Sequence, residues 1–382
     1  MLKYIFKGIF PFLLLLIPNL VFAEKLTILH INDHHSHLEA NSRMGLDLDG
    51  ESTRTKSGGF PAVVTKIKEL RSENPNSLTL HAGDATSGTL YFTLFEGEAD
   101  AALMNAVCFD AFVVGNHEFN NGDQGLVTFL DYLKEGNCQT PVLGANVQPE
   151  IGVSPLAKSS ADDYIQPYTI VERNGEKIGI IGIVISRKTK MSSNPDDTTM
   201  FLDEVTTAQK YADELKSQGV DQVILLSHYG YENDLALAQN TSGIDIIVGG
   251  DSHSLLGDLS DLGLKPSGSY PTMVNDASGN DVCVVTAWQY SQILGELHAE
   301  FDDKGNITSC IGTPHMMLAD SFKRKNSDGE RVEIEEGYRD AVYSVIKVNP
   351  SLSIVEPDAD AQALLAGYSS KIDEFSSKII GS

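Results

Sequence analysis

The chain has 382 residues, and 53 acidic against 28 basic side chains leave it at a formal charge of −25. So acidic a surface repels nucleic acid and anionic membranes, which argues against both as partners. The length is ample for one large α/β domain with a core of its own.

In chain order, Lys3 and Lys7 precede an apolar run over residues 9–17, and Val21-Phe22-Ala23 places small residues near a cleavage point. This pattern predicts a signal peptide over residues 1–23. The run falls short of the roughly 20 apolar residues that a membrane span needs. The expected product is periplasmic or secreted and free of membrane after cleavage, and losing two lysines but no acid takes its charge to −27.

A first β-prone run, 26–31, ends in Asn32-Asp33-His34-His35. Residues 41–58 are mostly polar with scattered glycines and are expected to form a surface loop. Residues 59–72 carry Val63, Val64, Ile67 and Leu70 at helical spacing. A second run, 77–81, leads to Gly83-Asp84. Helices are expected over 99–107 and 124–134, and between them run 111–114 leads to Gly115-Asn116-His117-Glu118. Residues 168–171 and 177–184 predict a hairpin over Asn174-Gly175. A helix over 206–217 precedes a strand that ends at Ser227-His228. A helix over 232–239 precedes run 244–248, which ends near Gly250-Asp251-Ser252-His253. Strands over 293–301 and 306–311 are joined by Asp302-Asp303-Lys304-Gly305, and residues 359–380 carry Leu364, Leu365, Tyr368, Ile372, Phe375 and Ile379 near helical spacing. Trp288 reads as core. His34 and His37 read as neighbours of the ligands or as solvated, with solvent preferred for His37.

Five short apolar runs that each end in Asp, Asn or His read as strands delivering side chains to one sheet edge. Ligand sites of open α/β sheets lie at the carboxyl ends of the strands. Oxygen and imidazole donors gathered there call for metal. Two divalent cations about 3.5–4 Å apart can clamp a phosphoryl oxygen and activate water, with Asp84 the natural bridge. Imidazole suits Zn, Mn or Fe and carboxylate suits harder ions, so the pair is left open among Zn, Mn, Mg and Co.

Four cysteines in an exported chain suggest disulfides, and sequence allows three connectivities. Cys283 lies in a strand-like run, Cys310 closes another, and Cys108 and Cys138 flank the Gly-Asn-His-Glu segment. The preferred pairing is therefore Cys108–Cys138 with Cys283–Cys310, the first bracing the loop of Asn116 and His117.

The segments Leu29-His30-Ile31-Asn32-Asp33-His34-His35-Ser36-His37, His81-Ala82-Gly83-Asp84, Val114-Gly115-Asn116-His117-Glu118-Phe119, Leu225-Leu226-Ser227-His228 and Val248-Gly249-Gly250-Asp251-Ser252-His253 together resemble the bacterial 5'-nucleotidases of the calcineurin-like metallophosphoesterases, including the NAD-nucleotidase-like members. The resemblance runs over residues 26–350. It implies a four-layer α-β-β-α sandwich over 24–350 and a linker helix over 351–382, with the family's second, base-binding domain absent. It implies one metal on Asp33, His35, Asp84 and His253, and a second on Asp84, Asn116, His228 and Asp251. Asn116 and His117 would meet the substrate phosphate, and His117, oriented by Asn120, would steady charge and protonate the leaving group. Water activated by the metal pair would be the nucleophile, and no serine stands in a Gly-x-Ser-x-Gly elbow.

Two positions depart from the family. It usually has His at Asp251 and Asp at Asn120. A carboxylate at 251 favours metal but opposes a phosphate dianion. Asn120 can still hydrogen-bond His117 but brings no charge, a change that costs about 10⁴-fold in a comparable His–Asp pair. Asp123 is the nearby acidic substitute. The expected function is metal-dependent hydrolysis of nucleotide phosphate monoesters and of nucleotide pyrophosphates such as NAD, or of other small phosphoesters. The alternative is a degraded or truncated member that binds metal or nucleotide with little turnover.

Overall fold

A computed structural model describes residues 24–380, so the signal peptide read over residues 1–23 lies outside the described residues. Strand Glu24–Ile31 shows how the layers arise. Leu26 and Ile28 point into a core shared with a second sheet, while Leu29 and Ile31 point the other way, under helices. A strand buried on both faces reads as a continuous apolar run.

One sheet runs in the order Asn41–Leu48, Glu51–Ser57, Ile307–Lys325, Ile293–Phe301, Glu24–Ile31, Leu78–His81, Ala111–Val113, Val142–Leu143. The other runs Thr272–Asn275, Asp281–Thr286, Ile246–Gly249, Gln222–His228, Glu176–Val184, Tyr168–Arg173. Helices Phe60–Glu73, Glu98–Val107 and Gly122–Lys134 cover the outside of the first sheet. Helices Glu204–Ser217 and Tyr231–Asn240 cover the outside of the second. The result is a four-layer α-β-β-α sandwich. Helix Ala359–Ile380 adds Ala361, Leu365 and Tyr368 to the first helical layer. Cys108 is joined to Cys138, and Cys283 to Cys310; the latter bond ties strand Asp281–Thr286 of one sheet to strand Ile307–Lys325 of the other.

Two expectations are corrected. The five ligand-bearing strands do not share one sheet edge. Three belong to the first sheet and two, Gln222–His228 and Ile246–Gly249, to the second, because parallel strands of similar apolar character can pair in either sheet. Residues 41–58 are not a loop but the hairpin Asn41–Leu48/Glu51–Ser57. Its turn is Asp49-Gly50, both at positive φ, a strong hairpin signal. The alternation Met44, Leu46, Leu48 is buried on a third small core with Val342 and Ile346, while Gly45 and Asp47 between them face solvent.

A carboxylate on the first sheet binds two imidazoles. Glu296 Oε1 lies 3.2 Å from His298 Nε2, and Oε2 lies 2.7 Å from His315 Nε2. Burial pushes the Glu296 carboxyl up, but the two imidazoles prevail and hold it down to about 2. His298, bonded to Glu296, is raised. The depressed carboxyl stabilises the fold above the ordinary carboxylate range and loses that contribution as pH falls towards 2. The raised imidazole stabilises it below about 6.5 and loses that contribution as pH climbs through its folded value. Glu296→Gln is expected to cost about 1–3 kcal/mol near pH 6, with the gap to wild type closing towards pH 2–3. Urea denaturation across that range checks this, and a gap independent of pH would contradict it.

Candidate metal centre

The carboxyl ends of both sheets meet at one point. Past the strand ends, Ala82 N–H still donates to Ile31 O and Asp33 N–H to Gly83 O, so the first two ligand loops continue the sheet's ladder. The chain then turns sharply. Asp33, His35, Asp84, Asp251 and His253 all have positive φ, between 48° and 71°. For residues with a Cβ that conformation is strained, and strain of this kind collects at functional sites.

Ligand atoms of Asp33, His35 and His253 lie within 4.8 Å of one another, as do those of Asp33, Asp84 and His228, and those of His35, Asp84 and His117. His253 Nε2 is 3.3 Å from Asp33 Oδ1, and His35 Nε2 is 3.6 Å from both Asp33 and Asp84. His228 Nε2 is 3.1 Å from Asp84 Oδ2 and 3.8 Å from Asp251 Oδ1. Asp84 therefore stands between the two groups of donors. Asp251 N–H donates to the Asp33 carboxylate, and His117 N–H to Asp84 Oδ1 at 2.8 Å.

The residues fit cations. His228 Nδ1 donates to the Ala82 carbonyl at 2.7 Å, which leaves Nε2 bare in the neutral ring. Bare Nε2 and the Asp84 carboxylate then face each other as two acceptors. His35 Nε2 and His253 Nε2 lie 3.0 Å apart. Nε2 of His228 and both polar atoms of the Asn116 side chain are buried without a hydrogen-bond partner, and groups of that kind are rare unless something binds them. Burial disfavours the charged His228 ring, but Asp84, Asp33 and Asp251 raise its pKa well above normal. His35 is raised against its own burial by Asp33 and Asp84. Asp84 is held at about 2, its burial outweighed by His228.

Glycine makes the approach possible. A Cβ at Gly83 would lie 2.5 Å from His228 Nδ1, and one at Gly250 2.8 Å from the same atom. A Cβ at Gly115 would collide with Asp84 Oδ1 and lie 2.8 Å from His228 Nε2.

Sequence reasoning missed the supports. Glu118, buried behind the ligands, accepts the backbone N–H groups of Asp84, Ala85, Thr86 and Gly115 at 2.6–3.1 Å. Burial and Asp84 push its carboxyl up to about 7, while donors on both oxygens favour the ionised form. Its position directly after His117 was the available signal. Asn32 donates to Asp33 Oδ2 and to Trp288 O and accepts from Ala287 N–H, all at 2.7 Å, which ties the strand ends of the two sheets together. His34 is fully buried and links His81 Nε2 at 2.8 Å to Asp100 Oδ1 at 3.1 Å. No local pattern announces that chain of three. Lys188 pairs with Asp251 from 63 residues away.

His117 is half-buried with Asn120 Nδ2 2.9 Å from its Nδ1. Burial lowers its pKa although Asp84 opposes this. Asp123 does not substitute at that position. Its carboxylate accepts from Ser154, Thr199 and the Asp196 N–H, deep in its own pocket. His37 is not free in solvent either; its ring stacks on Tyr290 at 3.9 Å. Trp288 packs on the third core.

The family profile of the calcineurin-like phosphoesterases matches residues 26–255. The chain is 43% identical to a probable 5'-nucleotidase of Treponema pallidum, over 94% of this chain and 59% of that protein. It is 41% identical to the NAD 5'-nucleotidase of Haemophilus influenzae, over 94% of this chain and 58% of that protein. The solved structure of the Haemophilus influenzae NAD nucleotidase superposes with a TM-score of 0.87 over 92% of this chain and 61% of the other. The chain thus spans about three-fifths of the length of these relatives.

Glu118→Gln puts amide hydrogens against backbone N–H groups. It is expected to weaken Mn²⁺ binding about 10–100-fold and to lower thermal stability. Calorimetric titration of both forms checks this, and unchanged affinity would remove Glu118 from the support of the site.

Proposed function

The chain belongs to the calcineurin-like phosphoesterase family, and we propose that it hydrolyses nucleotide phosphate monoesters and nucleotide pyrophosphates such as NAD with two divalent cations. The donors of one cation would be Asp33, His35, Asp84 and His253, and those of the other Asp84, Asn116, His228 and Asp251. The supporting observation is the pair of facing acceptors, His228 Nε2 and Asp84, beside the unpartnered side chain of Asn116. Such cations polarise a phosphoryl oxygen and lower the pKa of a water molecule.

The chain's own residues supply the rest. Asn116 and His117 follow strand Ala111–Val113 and present an amide and an imidazole where the phosphate would sit. Nδ2 of Asn120 donates to the bare Nδ1 of the neutral His117 ring, which keeps the ring proton on Nε2. When the ring is charged, the same amide can turn its oxygen to Nδ1–H. Asn120 thus orients His117 in both states without raising its pKa, as an aspartate would. In its charged form His117 steadies charge on the phosphate and gives its Nε2 proton to the leaving oxygen, which leaves the neutral ring that Asn120 Nδ2 holds.

Two disulfides and a leader-like N-terminal sequence support a periplasmic or secreted location. Among the described residues no helix is long and apolar enough to cross a membrane. A small phosphoester is the expected partner. Which of Zn, Mn, Mg or Co is resident is a matter for metal analysis. Asn120 favours one second reading, a chain that binds metal with little turnover.

The test is hydrolysis of p-nitrophenyl phosphate, AMP and NAD with Mn, Zn, Mg, Co or chelator. Metal-dependent turnover that Asp84→Ala reduces by at least about 10³-fold is expected. No turnover with any metal from folded protein, followed by a large gain on Asn120→Asp, would replace this reading with the second.

A further inference from the structure

Asp251 brings a third carboxylate to the site, and the fold answers with a cation. Lys188 lies in helix Ser186–Ser192, just past the carboxyl end of strand Glu176–Val184. Its Nζ donates to Asp251 Oδ1 at 2.5 Å. The Asp251 side chain is 10% exposed and that of Lys188 40%, and the ammonium sits on Oδ1, the same oxygen that lies 3.8 Å from His228 Nε2. Among the described residues no other lysine or arginine forms an ion pair with an expected metal ligand.

An exposed ion pair of this kind would contribute little. This one is partly buried and joins one of the carboxylates that are expected to hold metal. Each uncompensated carboxylate among them would repel a phosphate dianion that met the metals, and partly buried charges are weakly screened. We propose that Lys188 is the counter-ion of Asp251, so that the pair forms a near-neutral unit and a phosphate dianion can approach a site that holds three carboxylates. Lys188 is a positioning residue that acts through Asp251. The inference rests on the metallohydrolase reading above and deepens it: for phosphate monoesters, Lys188 sets the affinity for the terminal phosphate dianion.

The test uses inorganic phosphate as the probe, with the whole chain saturated in Mn²⁺ and the Mn²⁺ stoichiometry of every variant measured by calorimetry. Lys188→Gln is expected to raise the inhibition constant of phosphate, and the KM for p-nitrophenyl phosphate, about tenfold, while Mn²⁺ binds at least as tightly. Lys188→Arg, which keeps the charge, is expected to stay within about threefold of wild type. Removing both charges restores a neutral unit, so Asp251→Asn added to Lys188→Gln is expected to return the phosphate constant to within about threefold of wild type. A phosphate constant unmoved by Lys188→Gln, or one that stays raised in the double variant at full Mn²⁺ occupancy, would overturn the proposal. A wild-type chain that neither binds Mn²⁺ nor turns over would instead sink the metallohydrolase reading and this inference with it.

Discussion

Three carboxylates, Asp33, Asp84 and Asp251, converge on one recess of a chain that already carries a formal charge of −25. Two like charges 4 Å apart repel by about 4 kcal/mol at the effective dielectric of a protein surface. The arrangement stands only if positive charge is placed among them. The imidazoles of His35, His228 and His253 stand where cations would join them to those carboxylates. The raised pKa values of His35 and His228 reflect the same electrostatic demand.

Much of the remaining structure holds that unfavourable cluster in place. Two sheets end at the same level, and Asn32 ties one to the other. Glu118 gathers four backbone N–H groups of the Asp84 and Gly115 loops. The left-handed backbone at Asp33, Asp84 and Asp251 is a local cost of about 1–3 kcal/mol each, tolerable because the strands beneath are fully buried. Gly83, Gly115 and Gly250 let the His228 ring approach where any Cβ would block it. Lys188 then sets a positive charge against Asp251. Order passes from apolar strands to polar loops, from loops to ligands, and from ligands to the charge of the substrate.

The layers were legible because their cause is local. Strands buried on both faces wrote themselves as apolar runs, and helices such as Phe60–Glu73 as a 3.6-residue period. The candidate ligands stand out in the sequence because each lies just after such a run. The hairpin Asn41–Leu48/Glu51–Ser57 was not, since its polar face masks the alternation of Met44, Leu46 and Leu48 beneath. Division of the strands between two sheets is a choice among pairing partners that no single strand encodes. Lys188, and the His34–His81–Asp100 chain, are joined only by the fold, across as many as 66 residues. Asp123 is the opposite case, near His117 in sequence yet turned into another pocket.

The most direct test is anomalous scattering from crystals of the Mn²⁺-loaded chain. The account predicts two peaks roughly 3.5–4 Å apart, with Asp84 between them, Asn116 and His228 at one, and His35 and His253 at the other. A single peak, or peaks away from Asp84, would contradict it.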